Sequence, residues 1–422
     1  LIGQITCQSY FQRLIRWVGR DWGIFSTINS RIFAAMVYKV IGLMSGSSLD
    51  GLDIAYVHLQ ERAATSQLPK TWDFSLLHTA CYPYPDEWKR RLAAATTLNA
   101  LDYQLLHVEY GHWLGEQVAR FVEEFGLHFQ VQLIVSHGHT TFHWPARKMT
   151  AQLGDGAAIA AGTRINVVSD LRAMDLALGG QGAPIVPIGE KLLLPGYEYF
   201  LNLGGIANIS YHGATAGGDQ TFLAFDVCPA NRVLNALALL DGKPYDADGA
   251  MAAGGVVDSV LLQQLNALPY YGLPYPKSLA NDFGTETVLP LVLRTMQERG
   301  LSVEIVLRTY TEHIAVQIVK ALEKLRAVHS PVAGDTSGNE AAAPRMLVTG
   351  GGAHNRFLVE RLRHKLGVEV VVPDEKLADY KEALIMALIG VLRWREENNV
   401  KASVTGASRD SIGGAVWIGQ EA

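Results

Sequence analysis

Apolar residues recur along this chain with two periods, and each period marks an element. From Val40 to Leu59 an apolar run (Val40 to Met44) leads into a small-residue turn (Ser45 to Gly51). A second run (Ile54 to Leu59) then alternates apolar with other residues. Side chains two apart share one face of a strand, so the stretch predicts two strands joined by a Gly/Ser loop. Glu198 to His212 repeats the device, with Asn202 and Gly204-Gly205 at its turn. Shorter apolar runs predict strands over Trp72 to Ala80, Val131 to Ser136, Ile165 to Ser169, Met346 to Gly350 and Glu369 to Val372, and another just before Asp226. Spacing near 3.6 predicts helices over Asp86 to Ala95, Leu101 to Phe125, Arg232 to Leu240, Glu312 to Leu325 and Tyr380 to Asn398. In the second of these, Leu105, Val108, His112, Gly115, Val118 and Phe121 fall near one face. Tyr245 to Gly255 reads as a mobile Gly-rich link, Ser330 to Arg345 as a tolerated insertion, and Ser403 to Asp410 as polar loop.

Composition narrows this α/β pattern. The 422 residues, 49% hydrophobic and 18% charged, suffice for two domains with substantial cores. A net charge of −5 and a pI near 6.2 argue against nucleic acid or an anionic membrane as the main partner. Cys7, Cys81 and Cys228 are widely spaced, which argues against a disulfide framework or structural zinc and fits a reducing cytoplasm. No apolar run approaches the roughly 20 residues of a membrane-spanning helix. Residues 1–36 carry Arg13, Arg16, Arg20 and Arg31 without the apolar stretch of a secretory signal. They are expected to be an extension outside the fold, with Met36 as the true start.

The candidate chemistry sits in the turns. The first holds Gly46, Ser47, Ser48, Leu49, Asp50, Gly51, Leu52 and Asp53. Glycine tolerates φ > 0 and has no Cβ, so such a loop can aim N–H groups and hydroxyls at a phosphate. Asp50 beside it can hold a hydrated magnesium ion. An ordinary hairpin with solvated acids is the competing reading, and recurrence weighs against it. Asn202, Gly204 and Gly205 form a second such turn; Gly350, Gly351 and Gly352 form a third, before a helix whose N-terminus favours anions. Asp226 and Asn231 follow a further strand.

Two strand ends add side chains that can do acid–base work. Ser136 leads into His137, Gly138, His139 and Thr140, at the strand end where α/β folds bind ligands. His137, His139 and His143 also read as zinc donors of a metal-dependent hydrolase, although the later histidines fall in predicted helices or polar loops. Asp170 ends the Ile165 strand and is followed by Arg172, Asp175 and Gly179 to Pro184. An acid at a strand mouth with charged neighbours is a candidate base; a turn-capping role is the alternative. Lys277 reads as a solvated lysine rather than an anion ligand. Glu382 either faces a cleft or merely favours its helix N-terminus.

Taken together, Gly46-Ser-Ser-Leu-Asp-Gly-Leu-Asp53, Ser136-His-Gly-His-Thr140, Ser169-Asp-Leu-Arg172 with Gly179-Gly-Gln-Gly-Ala-Pro184, Asn202-Leu-Gly-Gly-Ile-Ala-Asn208 and Val404-Thr-Gly-Ala-Ser-Arg-Asp410 resemble the anhydro-N-acetylmuramic acid kinases. The likeness runs from about Tyr38 to the C-terminus. It implies two ribonuclease H-like lobes of the actin/Hsp70/sugar kinase type, with mixed five-stranded sheets flanked by helices around a central ATP cleft. Residues 37–190 are expected to form the N-terminal lobe and 191–422 the C-terminal lobe, with the terminal helix packing across. The implied reaction hydrolyses the 1,6-anhydro bond of 1,6-anhydro-N-acetylmuramic acid and phosphorylates O6, giving N-acetylmuramic acid 6-phosphate in peptidoglycan recycling.

By the same resemblance Asp170 is the catalytic aspartate and Glu382 an acid near the sugar. Gly46 to Asp53, Asn202, Gly204, Gly205, Asp226, Asn231 and Gly350 to Gly352 serve ATP. His137, Gly138, His139, Thr140, Gln152, Asp155 and Arg172 serve the sugar, with Arg172 a partner for its lactyl carboxylate. ATP and Mg2+ are the implied cofactors. The partner is a small molecule, with neither nucleic acid nor membrane, in a cytoplasmic protein whose oligomeric state the sequence leaves open, a homodimer being one option. Three departures stand out: Ser47 replaces the family's Thr, His139 its Gln, and Asp226-Val-Cys-Pro-Ala-Asn231 its Asp-Thr-Gly-Pro-Gly-Asn. Cys228 and Ala230 are therefore expected to narrow the nucleotide site. An ATP-binding regulator or weak ATPase of the same fold is the competing expectation, against which Asp170 and Glu382 count.

Overall fold

A computed structural model describes residues 36–46, 49–62, 70–214, 220–274, 277–279, 282–329 and 343–419. The expected N-terminal extension, Ser47, Ser48 and most of the 330–345 loop lie outside the described residues. β1 (Val37–Ser45) and β2 (Gly51–Arg62) pair antiparallel with Ser45 opposite Leu52, and β3 (Thr71–Pro83) pairs with β2. On the other side of β1, β4 (Leu133–Ser136) and then β7 (Asn166–Ser169) run parallel. Between them a hairpin of β5 (His139–Trp144) and β6 (Met149–Leu153) forms a small separate sheet.

The second sheet repeats the plan. β8 (Tyr199–Leu203), β9 (Ile206–Ala214) and β10 (Gln220–Pro229) form an antiparallel meander. β11 (Arg345–Thr349) and β12 (Glu369–Val371) follow in parallel beyond β8. The strand orders are thus β3-β2-β1-β4-β7 and β10-β9-β8-β11-β12. One difference from the expected five strands per lobe is β13 (Ala415–Trp417), which pairs antiparallel with β7 as a sixth strand. β13 therefore joins the first sheet, although it falls within the 191–422 expected for the C-terminal lobe.

The helices are α1 (Asp86–Ala94), α2 (Ala100–Glu124), α3 (Gly156–Thr163), α4 (Ala173–Ala177), α5 (Pro187–Leu193), α6 (Asn231–Leu239), α7 (Ala250–Gly254), α8 (Ser259–Asn266), α9 (Leu289–Arg299), α10 (Val303–His329), α11 (Arg356–Lys365), α12 (Glu375–Trp394) and α13 (Ala402–Thr405). Strand alternation sorts the apolar residues into three layers. Ile41, Ile54, Tyr56 and Ile134 face outward under α2 and α3. Val40, Ala55, Val57 and Val135 face inward, where they share a core with α5, α12 and the second sheet's Phe200 and Leu347. Leu201, Leu203, Met346 and Val348 face the far side, under α6, α8, α10 and α11.

α12 is buried on every side from Ala383 to Leu392, so it reads as a continuous apolar run rather than a stripe. Two glycines let it lie on the first sheet. A Cβ on Gly42 would stand 2.0 Å from the Ala383 carbonyl oxygen, and one on Gly390 would stand 2.1 Å from Val135.

Several expected elements are shifted. In α2 the buried stripe is Leu106, Tyr110, Leu114, Val118 and Phe121, whereas Leu105 is 50% exposed and His112 is exposed. Tyr84 packs at a tilt against Tyr110, and Trp113 stacks on it, which selects that face. Tyr245 to Gly255 is not a slack link: the buried Asp246 carboxylate accepts hydrogen bonds from Met251 N (2.8 Å) and Ala252 N (3.0 Å) and caps α7. α10 starts at Val303 rather than Glu312, and α12 starts at Glu375 because Asp374 caps it through Leu377 N. Ala402 to Thr405 is helical, although polar loop was expected there.

Gly42→Ala is expected to destabilise the protein by about 3 kcal/mol, the cost of overpacking where backbone must move. Gly162→Ala, in a helix with nothing within 4 Å, should be neutral or stabilising. Urea unfolding midpoints measure both, and an unchanged midpoint for Gly42→Ala would contradict the helix-on-sheet contact.

Candidate active site

The glycine turns of the two sheets open into one cleft of about 1060 Å³. The first lobe contributes Gly46, Asp50 and Asp53; the second contributes Asn202, Gly204, Gly205, Asp226, Asn231, Gly350, Gly351 and Gly352; α12 contributes Asp379 and Glu382. Of the other described first-loop positions, Leu52 is buried in the outer core, Leu49 packs against it, and a Cβ on Gly51 would stand 2.7 Å from Cys81 Sγ.

The glycines divide by cause. Gly350 has φ +82°, and its Cβ would meet Asn202 Oδ1 at 2.5 Å; a Cβ on Gly352 would meet Leu203 at 2.6 Å. The protein itself requires both. A Cβ on Gly204 or Gly205 would meet nothing closer than 3.5 and 3.7 Å, and neither has positive φ. Their bareness leaves open room in the cleft, as close approach of a ligand to backbone demands.

The altered 226–231 segment does not narrow the cleft. Cys228 and Ala230 are both 0% exposed and point into the second lobe's core. The segment is stitched to the second turn by Ala230 N to Gly205 O (2.9 Å), Asn231 N to Gly204 O (3.1 Å) and Asn231 Nδ2 to Leu203 O (2.9 Å). Asp226 accepts from Leu279 N at 2.8 Å, and burial raises its pKa. Lys277 is half-buried rather than free in solvent: its ammonium lies 4.2 Å from the Tyr270 ring centre, and burial lowers its pKa to about 8.

Carboxylates line the opposite wall. Asp53 is pushed up to about 7, chiefly by burial, with Glu382, Asp379 and Asp50 adding to the rise and a Cys81 hydrogen bond opposing it. Glu382 is raised by burial, while Lys381 and Arg172 pull it down; its carboxylate accepts from Asn202 Nδ2 at 3.3 Å. It therefore faces the cleft, from the second turn of α12 rather than the first. Among the described residues no three His, Cys, Asp or Glu side chains stand together as a metal cage. Hydrated magnesium needs only one or two carboxylates beside phosphate oxygens, and this wall supplies such donors.

The other expected residues lie at the ends of β4 and β7, on the β5–β6 hairpin and at the start of α3, and are not among those lining the cleft. Arg172 Nε donates to His137 Nε2 (3.0 Å) and Nη1 donates to Gly182 O (2.9 Å), so His137 carries its proton on Nδ1 and donates to Gly138 O (2.8 Å). Burial, with Arg172 adding, pushes His137 down to about 3. His139 Nδ1 meets Ser45 Oγ at 3.1 Å. These partners occupy both nitrogens of His137 and one of His139, which leaves the zinc reading without its donor set. Burial lowers Arg172 to about 10, with the Glu382 charge opposing. Gln152 donates to Thr140 Oγ1 (3.3 Å), and Asp155 caps α3 through Ala158 N (2.8 Å).

Asp170 adopts φ +54°, and its exposed carboxylate accepts from Ser169 Oγ at 2.8 Å; that oxygen accepts in turn from Trp417 Nε1 at 3.0 Å. Strained backbone of this kind persists where surroundings over-determine it. Asp175 has its own partners. It is buried and binds Gly182 N and Thr405 Oγ1, both at 2.7 Å, which clamps the Gly179 to Pro184 loop to α13.

Two sheets of like strand order, each presenting glycine turns to one cleft lined by carboxylates, make a two-lobed α/β protein with a site suited to a phosphate-bearing ligand. Residues 38–419 match the family model described as Anhydro-N-acetylmuramic acid kinase. Among curated relatives of that name, the protein of Gloeobacter violaceus is 34% identical over 385 residues, 87% of this chain and 96% of that one. The protein of Vibrio cholerae is 33% identical over 395 residues (89% and 97%), and that of Rhodococcus erythropolis 35% over 402 (90% and 94%). The chain belongs to the anhydro-N-acetylmuramic acid kinase family. It is a kinase, which implies use of ATP. No helix among the described residues is long and apolar enough to cross a membrane.

Asp379 gave no signal in the sequence because the helix was expected from Tyr380, five residues after its actual start at Glu375; at three positions before Glu382 it shares that residue's helix face. Glu190, Lys381 and Trp417 gave no local signal.

The folded pKa of Asp53, about 7, lies above its ordinary 3.8, so the folded state holds the proton and this group's contribution to stability falls as pH rises from about 4 to about 7. Asp53→Asn is expected to raise Tm by several degrees near pH 8 without nucleotide or metal, and to leave it almost unchanged near pH 4. Equal shifts at both pH values would contradict the burial of Asp53.

Proposed function

We propose that this enzyme hydrolyses the 1,6-anhydro ring of 1,6-anhydro-N-acetylmuramic acid and phosphorylates O6 with ATP, giving N-acetylmuramic acid 6-phosphate for cytoplasmic peptidoglycan recycling. The observation that carries this reading is the joint presence of bare glycines at Gly204 and Gly205 and of Glu382 in one cleft, in a chain of this family. The glycine turns cradle the ATP phosphates through backbone N–H groups. Magnesium, held beside Asp50 and its neighbouring carboxylates, would offset charge on the phosphates. Arg172, locked by His137 and Gly182, offers a guanidinium for the lactyl carboxylate.

In this mechanism Asp170 accepts a proton from water as the water oxygen attacks C1. The C1–O6 bond breaks, and the electron pair on O6 attacks the γ-phosphorus with ADP leaving. An exposed carboxylate is a weak base, so substrate binding and closing of the lobes must take Asp170 out of bulk water. Ser169 and Trp417 aim its second oxygen.

A product assay in oxygen-18 water with Mg-ATP tests the scheme. Wild type is expected to yield phosphorylated sugar carrying the heavy oxygen at C1, and Asp170→Asn to lose at least about 100-fold of that rate while still binding ATP. Nucleotide binding by folded wild type without sugar turnover would overturn the reading in favour of an ATP-binding regulator.

A further inference from the structure

The chain crosses between the lobes at α5 on the way out and at α12 on the way back, and the two crossings meet in a buried ion pair. Lys381 Nζ donates to Glu190 Oε1 at 2.7 Å, with both side chains 3% exposed. The other carboxylate oxygen accepts from Ser210 Oγ of β9 at 2.6 Å, and His212 Nε2 stands 3.2 Å from it. Burial alone would raise the pKa of Glu190, but the Lys381 and His212 partners bring it down to about 2. Desolvating two charges this fully makes the pair a poor source of stability, so what it fixes is geometry.

α12 changes lobes at this point. Before the break at Tyr380 (φ −110°, ψ 15°), Ala378 O accepts from Gly350 N at 2.8 Å and Asp379 pairs with His354 at 2.7 Å, both in the second lobe. After it, the Ala383 carbonyl presses on Gly42 of β1. Successive helical residues point about 100° apart. With Lys381 tied to Glu190 and Ala383 seated on Gly42, the residue between them has one direction left, which is into the cleft.

We propose that Glu190, acting through Lys381, is the positioning residue that sets where the Glu382 carboxylate stands. Its consequence for turnover rests on the function proposed above. The double variant Glu190→Gln/Lys381→Met removes both charges at similar volume and leaves neither unpaired. It is expected to keep Tm within a few degrees, Mg-ATP affinity and sugar KM within about twofold, and to lose about 30-fold or more in kcat, the scale of a misplaced reacting group. An unchanged kcat would overturn the proposal, whatever happens to Tm. If the double variant does not fold, Ser210→Ala removes one hydrogen bond and no charge; it is expected to show the same split with about a fivefold loss in kcat, and no loss overturns the proposal.

If wild type binds Mg-ATP but never turns the sugar over, the functional reading falls, and a crystal structure of the double variant decides the positioning. Glu382 displaced from Asn202 upholds it; Glu382 still within hydrogen-bond distance of Asn202 Nδ2 overturns it.

Discussion

The burial of α12 between two sheets is the constraint on which the rest of the molecule depends. An apolar helix with no wet face must be covered on all sides, and here the cover comes from β1 and β4 below, α5 beside it, and Phe200 and Leu347 above. That demand joins the two lobes through one core, with close approach bought at Gly42 and Gly390 by the absence of side chains. It also explains why the helix can carry site residues only at its N-terminal end. Beyond Ala383 every position is committed to packing, while Asp379 and Glu382 precede full burial and reach the cleft.

The site follows from duplication. Each sheet starts with a hairpin whose turn lies beside the end of a parallel strand, so two copies set face to face bring two backbone-rich turns to one space. Backbone N–H groups recognise phosphate without regard to side chains, which is why the Cys228 and Ala230 departures leave the cleft open: those side chains go to the core and the backbone hydrogen bonds to Gly204 and Gly205 persist. The residues at the ends of β4 and β7 are organised differently, through buried side-chain contacts. Arg172 is held by two uncharged acceptors, and the loop that supplies one of them is clamped by Asp175 and Thr405. The otherwise unexplained Val404 to Asp410 motif acts there, with Thr405 O accepting from Gln181 N at 2.8 Å.

Strands were legible because alternation is a property of a few consecutive residues, and β1, β2, β8 and β9 fall where their apolar runs lie. Helix faces and starts were less so. The stripe of α2 is chosen by the packing of Tyr84 and Trp113 around Tyr110, and the start of α12 by a cap at Asp374, before a local break at Tyr380 that imitates a helix N-terminus. Tyr245 to Gly255 looked slack because its cap, Asp246, is a single buried carboxylate among glycines and alanines.

By itself the sequence determined the alternating strands, the three glycine turns and the acids near them, since each is written in neighbouring residues. Only the tertiary structure decided which of these meet. Asn202 and Glu382, 180 residues apart, touch in the cleft; Lys381 and Glu190, 191 apart, pair beneath it; and Trp417 reaches Ser169 across 248. Such contacts depend on how sheets and helices exclude water from one another, a property of the packed whole that no local period encodes.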